Sequence, residues 1–392
     1  MRILVLAPHP FFQQRGTPIA VRKLLEFLSA EGHHTDVLTY HEGEDVEIPN
    51  CRIVRIAKVP GVRGIRPGFS IKKVICDLFM ARKLLVMLRQ NKYDLIHAVE
   101  ESVFLASAAQ RLFGIPFIYD MDSALSEQMV ERHGALAPVQ NWLQRAEGTA
   151  MRGALGVLAV CPALVERARR HAQDTLVACV EDSTLLGSDR SEVERLRPDF
   201  APPYPLFLYV GNLEPYQGVD LLLESFAEAL GAVPSARLAV IGGTHRDILR
   251  YRERVVQLGL EEKVDFLGPR PLDDLGGYLV QADVLVSPRL MGNNTPMKIY
   301  SYLDSGVPIL ATRLPTHTQV LDDTIACLAP PEPFEFGKAM AQLALDRPRR
   351  ARLAFRARKR AQRDFTPEAA RRKLRDFYGS VSELVSATAR VN

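Results

Sequence analysis

The same local pattern opens both halves of this sequence. An apolar run from Arg2 to Ala7 leads into a glycine-containing loop and then into a helical repeat of apolar residues that ends near Gly32. A second apolar run, from Leu206 to Val210, leads into the glycine-bearing loop 211–218 and another helical repeat. Short apolar runs joined by helical segments are typical of parallel sheets with helices on both faces. The pattern therefore predicts an α/β protein with two doubly wound domains.

The length of the chain agrees with two domains. It has 392 residues, and chains beyond about 250–300 residues usually divide because a single hydrophobic core stops growing. A polar stretch with several prolines interrupts the apolar pattern over residues 188–205 and is typical of a linker. We therefore predict an N-terminal domain over residues 1–187, a C-terminal domain over 206–365 and a last helix over 366–392.

Composition and charge exclude several classes of protein. Hydrophobic residues make up 47% of the chain and charged residues 24%, which is the balance of a packed globular protein. The five cysteines show no CxxC pair and no metal-ligand spacing, so we expect buried thiols in a reducing cytoplasm and no metal site. Met1 leads directly into a strand and no apolar stretch approaches about twenty residues, so neither a secretory signal nor a membrane span is predicted. A net charge of +4, and a basic run over 347–363 without an aromatic platform, give no support for a nucleic-acid partner.

Four stretches of the second half resemble the family-4 glycosyltransferases of the GT-B fold. They are YVGNLEPYQGVDLLLESF, LAVIGG, VDFLGPRPLDDLGGYLVQADVLVSP and TPMKIYSYLDSGVPILAT, in that order along the chain. The resemblance runs through nearly the whole sequence. It implies two Rossmann-like domains facing a central cleft, an N-terminal half that binds the acceptor, a C-terminal half that binds a nucleotide sugar, and a last helix that crosses back. It also implies hexosyl transfer with retention, assisted by the leaving diphosphate, with no cofactor beyond the nucleotide-sugar co-substrate and no metal.

The sequence departs from this family at several donor-site positions. The family usually has arginine and lysine where this chain has Asn212 and Gln217, and two glutamates where it has Asn293 and Ser301. Asp122 stands where many members have histidine. Asn293 and Ser301 can still hydrogen-bond a hydroxyl group but bring no charge. They leave open an active divergent enzyme, an active enzyme with another donor, a non-catalytic nucleotide-sugar-binding or scaffold protein, and a GT-B sugar-nucleotide epimerase.

The segment from Asn294 to Lys298 is the first predicted donor site. Asn294 and Thr295 precede Pro296, a pattern typical of a helix cap followed by proline at the first helical position. The free N–H groups from Thr295 to Met297 would then point at a diphosphate. Lys298 in the first turn opposes the helix dipole, and a bound phosphate would explain its placement there. The alternative is a solvated lysine.

Glycine turns after strands supply the other predicted donor contacts. Gly16 opens the first helix beside Arg15 and Thr17, where glycine lets the backbone approach a ligand and arginine can supply positive charge. The resemblance implies that the nucleobase is recognised mainly by backbone groups in the loops after later strands. Turn geometry alone would explain the same glycines. The remaining candidates are Gly211, Gly242, Gly243, Gly268 and Arg270.

Asp120 and Asp122 are the predicted catalytic residues. They follow an apolar strand over 116–119 and, lying two positions apart on an extended segment, share a face. Either carboxylate can accept a proton from an acceptor hydroxyl, orient it, or stabilise positive charge at the anomeric carbon. The alternative is that they cap a following helix together with Ser123, Ser126 and Glu127. Further candidates at the end of the preceding strand are His97, Glu100 and Glu101.

Residues 52–92 form a basic and apolar stretch. Eleven lysines and arginines occur there against the single acid Asp77. Within it, the helical segment over 69–89 mixes these cations with apolar side chains from Phe69 to Met87, as interfacial helices do. We therefore predict contact with an anionic membrane surface, a peripheral location on the inner face of the cell membrane, and a lipid-linked or saccharide acceptor. The alternative is a core helix with a basic polar edge.

Overall fold

The computed structural model describes residues 1–14, 16–65, 70–125, 140–187, 192–196 and 204–391. The chain divides into two compact units. Unit 1 comprises Met1–Glu181 and Arg371–Asn392, and unit 2 comprises Asp182–Ala370. Most of the predicted linker over 188–205 lies outside the described residues, as do Arg15, Arg66, Phe69, Ser126 and Glu127.

Unit 1 is built on a seven-stranded sheet. Its strand order is β3-β2-β1-β4-β5-β6-β7, and the pairing is parallel from β3 to β7. The order reverses direction between β1 and β4, which is the doubly wound arrangement in which ligands bind beyond the carboxyl ends of the strands. The strands are β1 (Arg2–Ala7), β2 (His34–Thr39), β3 (Cys51–Arg55), β4 (Leu95–Val99), β5 (Phe117–Met121), β6 (Gly156–Ala159) and β7 (Leu176–Cys179).

Helices connect these strands because each central strand buries its side chains on both faces. In β1 the side chains from Ile3 to Ala7 are completely buried, so both faces of the sheet need apolar cover. The first helix begins at Gly16, which places Thr17 inside its first turn. The described helices are α1 (Gly16–Ala30), α2 (Ile71–Gln90), α3 (Val103–Phe113), α4 (Gln140–Gly153) and α5 (Pro162–His171).

Unit 2 repeats the arrangement with six strands in the order β10-β9-β8-β11-β12-β13, all paired in parallel. The predicted α/β fold with two doubly wound domains is therefore confirmed. The strands are β8 (Leu206–Val210), β9 (Arg237–Ile241), β10 (Val264–Gly268), β11 (Val284–Ser287), β12 (Ile309–Thr312) and β13 (Cys327–Ala329). The helices are α6 (Val219–Leu230), α7 (His245–Gln257), α8 (Leu275–Leu279), α9 (Lys298–Ser305), α10 (Pro315–Thr318), α11 (Pro333–Leu345) and α12 (Arg347–Asp364).

The last helix, α13 (Pro367–Val391), belongs to unit 1 from Arg371 onward. Phe377 and Tyr378 on this helix are buried. The Phe377 ring packs so closely on β6 that a Cβ on Gly156 would lie 2.8 Å from it. An ion pair between Arg375 and Glu31 also joins the helix to the end of α1. Among the described helices, none is both long and apolar enough to cross a lipid bilayer.

Candidate functional site

Three neighbouring strands of unit 2 end in glycine turns that touch one another. The N–H of Gly211, after β8, donates to the carbonyl of Ile241, and the N–H of Gly242, after β9, donates to the carbonyl of Gly268 at the end of β10. Gly242 has a φ of 111°, and a Cβ there would lie 2.1 Å from the carbonyl oxygen of Gly211. Gly243 also leaves no room for a side chain, because an added Cβ would lie 2.5 Å from the side chain of Leu213. The carboxyl edge of the sheet is therefore lined by bare backbone.

The loop after β8 places Asn212 and Gln217 at the same edge. The hydroxyl of Tyr209 donates to the carbonyl of Asn212 at 2.6 Å, which fixes the start of the loop. Gln217 ends a short turn of 3-10 helix and is buried. Gly218 follows with a φ of 72°, and a Cβ on it would lie 2.0 Å from the carbonyl oxygen of Pro288. The loop is thus packed against the end of β11 and cannot move away without breaking that contact.

Lys298 is the first residue of α9 and brings a positive charge to this edge. Its Nζ lies 3.4 Å from Oε1 of Gln217 and 3.9 Å from the centroid of the Tyr209 ring. The helix begins at Lys298, so the prediction that Pro296 is the first helical residue was wrong by two positions, within the usual variation of helix ends. Burial and the nearby charge of Arg289 hold the pKa of Lys298 well below its ordinary value.

Arg289 is a second cation at this edge, and it was not predicted from the sequence. It follows β11, is buried, and donates from Nε to the carbonyl of Met291 at 2.7 Å and from Nη2 to Oδ1 of Asn294 at 2.8 Å. Gly292 has a φ of 111°, and a Cβ on it would lie 2.1 Å from Nη2 of Arg289. Only glycine therefore allows the loop to fold over this guanidinium. A single cation two residues after a strand end is only a weak signal in the sequence.

The loop over 293–295 is held by a short helix behind it. Oγ1 of Thr316 in α10 donates to the carbonyl of Asn294 at 2.8 Å, and Nε2 of Gln319 donates to the carbonyl of Asn293 at 3.1 Å. Thr295 is only 2% exposed, and within the described residues its Oγ1 has no hydrogen-bond partner. An unpaired buried hydroxyl carries a free-energy cost, so Thr295 is a polar group to which a ligand atom would be a favourable partner.

A buried histidine, His317, joins two strand ends behind the site, and it too was not predicted from the sequence. Its Nε2 lies 2.9 Å from Oγ of Ser287, and its Nδ1 lies 3.0 Å from the carbonyl oxygen of Thr312. Burial, with smaller contributions from Lys298 and Arg289, lowers its pKa to about 3. His317 is therefore neutral at physiological pH and acts as a hydrogen-bonding link between the ends of β11 and β12.

Two predicted donor residues are engaged elsewhere in unit 2. Ser301 is fully buried, and its Oγ accepts from the N–H of Leu185 at 3.0 Å. The guanidinium of Arg270 bonds to Glu194, to the hydroxyl of Tyr278 and to the carbonyl of Leu267. Both side chains thus already have protein partners, and a donor would have to displace those partners to reach them.

In unit 1 the predicted catalytic aspartates lie at the carboxyl end of β5. Asp120 lies inside the strand rather than after it, and its Oδ2 is 2.9 Å from Nε2 of His97. Nδ1 of the same imidazole lies 2.7 Å from the hydroxyl of Tyr378, so a buried chain of hydrogen bonds runs from Asp120 to α13. Asp122 comes just after the strand and is half-buried. At the start of α1, Gly16 has open space where a Cβ would be, so no packing demand requires glycine there.

Acidic side chains gather at the end of β4, next to this chain. Glu100 has a φ of 48°, an unusual value for a non-glycine residue, and accepts from Oγ of Ser123 at 3.4 Å. Burial and the neighbouring Glu101 raise the pKa of Glu100 to about 7. Lys73 of α2 forms an ion pair with Glu101 and is buried. Such perturbed carboxyl groups are a feature of functional sites as well as of structural networks.

Helix α2 is therefore not a uniformly basic surface helix. Asp77 also faces inward, where it accepts from the hydroxyl of Tyr40 at 2.5 Å, and burial and Glu101 raise its pKa to about 7. Lys73, one of the eleven cations of the stretch over 52–92, is turned toward the carboxylates and does not contribute to an exposed basic face. Within the described residues, no group of three His, Cys, Asp or Glu side chains could hold a metal ion.

Each half of the chain matches a glycosyltransferase family model. Residues 15–177 match the model described as a glycosyl transferase 4-like domain, and residues 192–360 match that described as glycosyl transferases group 1. The D-inositol 3-phosphate glycosyltransferase of Corynebacterium diphtheriae is 30% identical over 185 residues, 45% of this chain and 42% of that protein. The Corynebacterium glutamicum protein of the same name is 25% identical over 345 residues, 80% of this chain and 81% of that one.

Solved structures share the fold over the full length. Sucrose-phosphate synthase from Thermosynechococcus elongatus has a TM-score of 0.80 at 19% identity, covering 98% of this chain and 99% of that one. HepE from Anabaena in complex with UDP-glucose has a TM-score of 0.72 at 17% identity, covering 98% of this chain and 100% of that one. The two domain matches and the shared fold together show that this chain belongs to the GT-B-type glycosyltransferases.

Proposed function

We propose that this chain transfers a hexosyl residue from a nucleoside-diphosphate sugar to a saccharide or lipid-linked acceptor, with retention and without a metal ion. The observation that carries this proposal is the edge of the unit 2 sheet, where backbone turns at Gly211 and Gly242 meet the half-buried ammonium of Lys298. The glycine turns leave room for an anion beside Lys298, and the start of α9 together with the Lys298 ammonium stabilises the negative charge that develops on a leaving diphosphate. A structural neighbour that was solved with UDP-glucose supports the class of donor.

The acceptor is assigned to unit 1. We propose that Asp122 and Asp120 orient the acceptor hydroxyl and accept its proton, with His97 and Tyr378 fixing Asp120 through the hydrogen bonds described above. Donor contacts by Asn212, Asn293, Met297, Gly16 and Thr17 are part of the same proposal. For Ser301, which is buried, and for Arg270, whose guanidinium already has protein partners, we propose supporting roles.

A ligand panel tests the donor assignment. We expect one nucleoside-diphosphate sugar to raise the melting temperature, because a ligand at 100 times its dissociation constant stabilises the folded state by about 2.7 kcal/mol. Mass analysis of reactions with membrane-lipid acceptors should then show an acceptor heavier by one hexosyl unit. Binding with neither hydrolysis nor transfer would indicate a non-catalytic binder, and an isomerised sugar nucleotide would indicate an epimerase. A panel in which no nucleotide sugar binds would contradict the proposal.

The outer face of α2 supports a membrane-bound acceptor. Ile71 is 78% exposed and Leu78 67% exposed, and Phe79 lies beside them. Exposed cations, Lys72 and Arg82, flank these apolar side chains. Apolar side chains with a basic rim suit the headgroup region of an anionic bilayer. We propose that this face, the α2 outer face, docks on such a surface.

Replacing Leu78 by glutamate is expected to weaken binding to vesicles that contain phosphatidylglycerol by about tenfold, since burying a leucine side chain contributes about 1.5–3 kcal/mol. Cosedimentation at two salt concentrations measures the loss. Leu112→Glu is the matched control, because Leu112 is 70% exposed but lies on α3. Equal binding by Leu78→Glu and wild type would rule out docking through the α2 outer face.

A further inference from the structure

A cation and an amide from distant parts of unit 2 meet at one point. Nζ of Lys298 lies 3.4 Å from Oε1 of Gln217, although the two residues are 81 positions apart. A Cβ on Gly211 would lie 3.2 Å from the same Nζ. The ammonium is therefore set against bare backbone at the end of β8, and its hydrogen-bond partner is a neutral amide rather than a carboxylate. The positive charge stays available to an anion.

The side chains at positions 217 and 298 reach the same point at this edge of the sheet. The tight packing of Gly218 on Pro288 holds the backbone next to Gln217 in place, and Oε1 of Gln217 already reaches Nζ of Lys298. A lysine at 217 would carry its ammonium to the point that Lys298 now occupies, and a glutamine at 298 would meet it there. Position 217 is also where the resemblance leads us to expect a lysine.

Arg289 adds a second charge from another direction. Its guanidinium lies 5.4 Å from the centroid of the Tyr216 ring, next to Asn212, whose Nδ2 donates to the Tyr216 hydroxyl at 3.4 Å. Its bonds to Met291 and Asn294 shape the loop that leads into α9. The resemblance implies an arginine at position 212. In this chain the buried Arg289 supplies a positive charge nearby, holds the loop through its hydrogen bonds and lowers the pKa of Lys298.

We propose that the cations for the donor diphosphate have been relocated in this chain, with Lys298 supplying the charge lost at position 217 and Arg289 acting as the positioning residue for the loop over 291–294. This inference rests on the proposed donor site. The ligand class is a diphosphate, whether free or part of a nucleotide. Thr295, with its unpaired buried Oγ1 three positions before Lys298, is a further polar group for the same anion.

A reciprocal exchange tests the relocation. Lys298→Gln should weaken binding of inorganic pyrophosphate and of UDP by about 10- to 100-fold, the usual effect of losing a charged hydrogen bond. The double variant Gln217→Lys with Lys298→Gln should recover most of that affinity. Calorimetric titration measures both, with melting temperature as the check on folding. A folded double variant that binds as weakly as Lys298→Gln would overturn the inference, as would wild-type affinity in Lys298→Gln.

The role of Arg289 has a separate readout in the pH dependence of pyrophosphate binding. The groups that face Lys298 are Arg289, the Tyr209 ring and, from α10, the neutral His317. Since the charge of Arg289 lowers the pKa of Lys298, Arg289→Met should move the pH at which affinity is lost to a higher value. A merely structural arginine would change stability without moving that midpoint, and an unmoved midpoint would overturn its assigned role.

The two proposals fail in different ways. Pyrophosphate binding that follows the exchange, in a protein that transfers no sugar to any acceptor, would refute the glycosyl transfer and leave the relocated cations in place. Sugar transfer and UDP binding that persist unchanged in Lys298→Gln would refute the relocation and leave the transferase assignment in place.

Discussion

Gly242→Ala is expected to lower the free energy of unfolding of unit 2 by about 4 kcal/mol. A positive φ of 111° is the first cause, because a left-handed conformation costs an L-residue roughly 1–2 kcal/mol. The second cause is steric: the new Cβ would lie 2.1 Å from the carbonyl oxygen of Gly211. Backbone cannot yield as a flexible side chain does, so the ends of β8 and β9 must separate, and such overpacking costs roughly 1–3 kcal/mol.

Gly259→Ala separates the two causes. Gly259 belongs to the same unit and has a φ of 66°, but nothing lies within 4 Å of its added Cβ. It should therefore cost only about 1 kcal/mol. Hydrogen-exchange mass spectrometry of peptides spanning β8 and β9 measures the opening free energy in each variant. Equal losses in the two variants would show that the contact between Gly242 and Gly211 is not as tight as described.

The Gly242→Ala substitution should also impair the proposed donor site. Gly211 lies beside the ammonium of Lys298, so a shift of its carbonyl changes the backbone to which a diphosphate would bind. UDP affinity in Gly242→Ala should fall at temperatures where unit 2 remains folded. In Gly259→Ala the UDP affinity should not change, because Gly259 follows α7 and lies away from the carboxyl ends of the strands.

The fold was predictable from the sequence because its central strands are continuous apolar runs. β1 and β8 were predicted with the bounds that the structure shows, since both are buried along nearly their whole length. β3 was not predicted: it lies at the edge of its sheet, is largely half-exposed and carries Arg52 and Arg55. Arg52 pairs with Asp36 of β2, a contact between strands that no local pattern contains.

The site was predictable only as separate pieces. Sequence spacing identified Gln217 and Lys298, but their contact depends on the packing of Gly218 against β11, which joins segments far apart in the chain. Arg289 and His317 were missed because single polar residues after strands have no pattern of their own. Their importance comes from burial and from hydrogen bonds to distant backbone.

Helix α2 shows the same limit in another form. Its composition is basic and apolar, and the sequence could not say which cations face outward. The structure turns Lys73 and Asp77 toward the acidic end of β4, and leaves Leu78 and Lys72 outside. The choice follows from Glu101, which forms the ion pair with Lys73 and is itself placed by β4.

Unit 1 is expected to be less stable at pH 8 than at pH 5, and Glu100→Gln to remove much of the difference. Burial and Glu101 raise the pKa of Glu100 in the folded state from 4.5 to about 7. Between these two values the folded protein holds a proton that the unfolded chain has released, so the free energy of unfolding falls as pH rises through this window and levels off above it. The difference corresponds to up to about 3 kcal/mol.

Asp77→Asn should have a similar effect, because burial and Glu101 raise the pKa of Asp77 from 3.8 to about 7. Glu47→Gln, an exposed position in the same unit, is the control and should leave the pH dependence unchanged. Hydrogen exchange of peptides spanning β4 and β5 at both pH values measures the effect. If Glu100→Gln and Glu47→Gln kept the same loss of stability between pH 5 and pH 8, the carboxyl group would have an ordinary pKa.

Glu100→Gln and Asp77→Asn should differ in activity, and that difference identifies the functional carboxyl group. Glu100 combines an unusual φ with a raised pKa at the strand end nearest Asp120, which contributes to that shift. A left-handed backbone at a non-glycine residue and a buried carboxyl group both cost stability, and such features persist most often where function requires them. Asp77, by contrast, accepts a hydrogen bond from Tyr40, next to the ion pair between Lys73 and Glu101. A change near pH 7 in the profile of kcat/KM for the acceptor should therefore disappear in Glu100→Gln and remain in Asp77→Asn; its persistence in Glu100→Gln would place Glu100 outside the acceptor site.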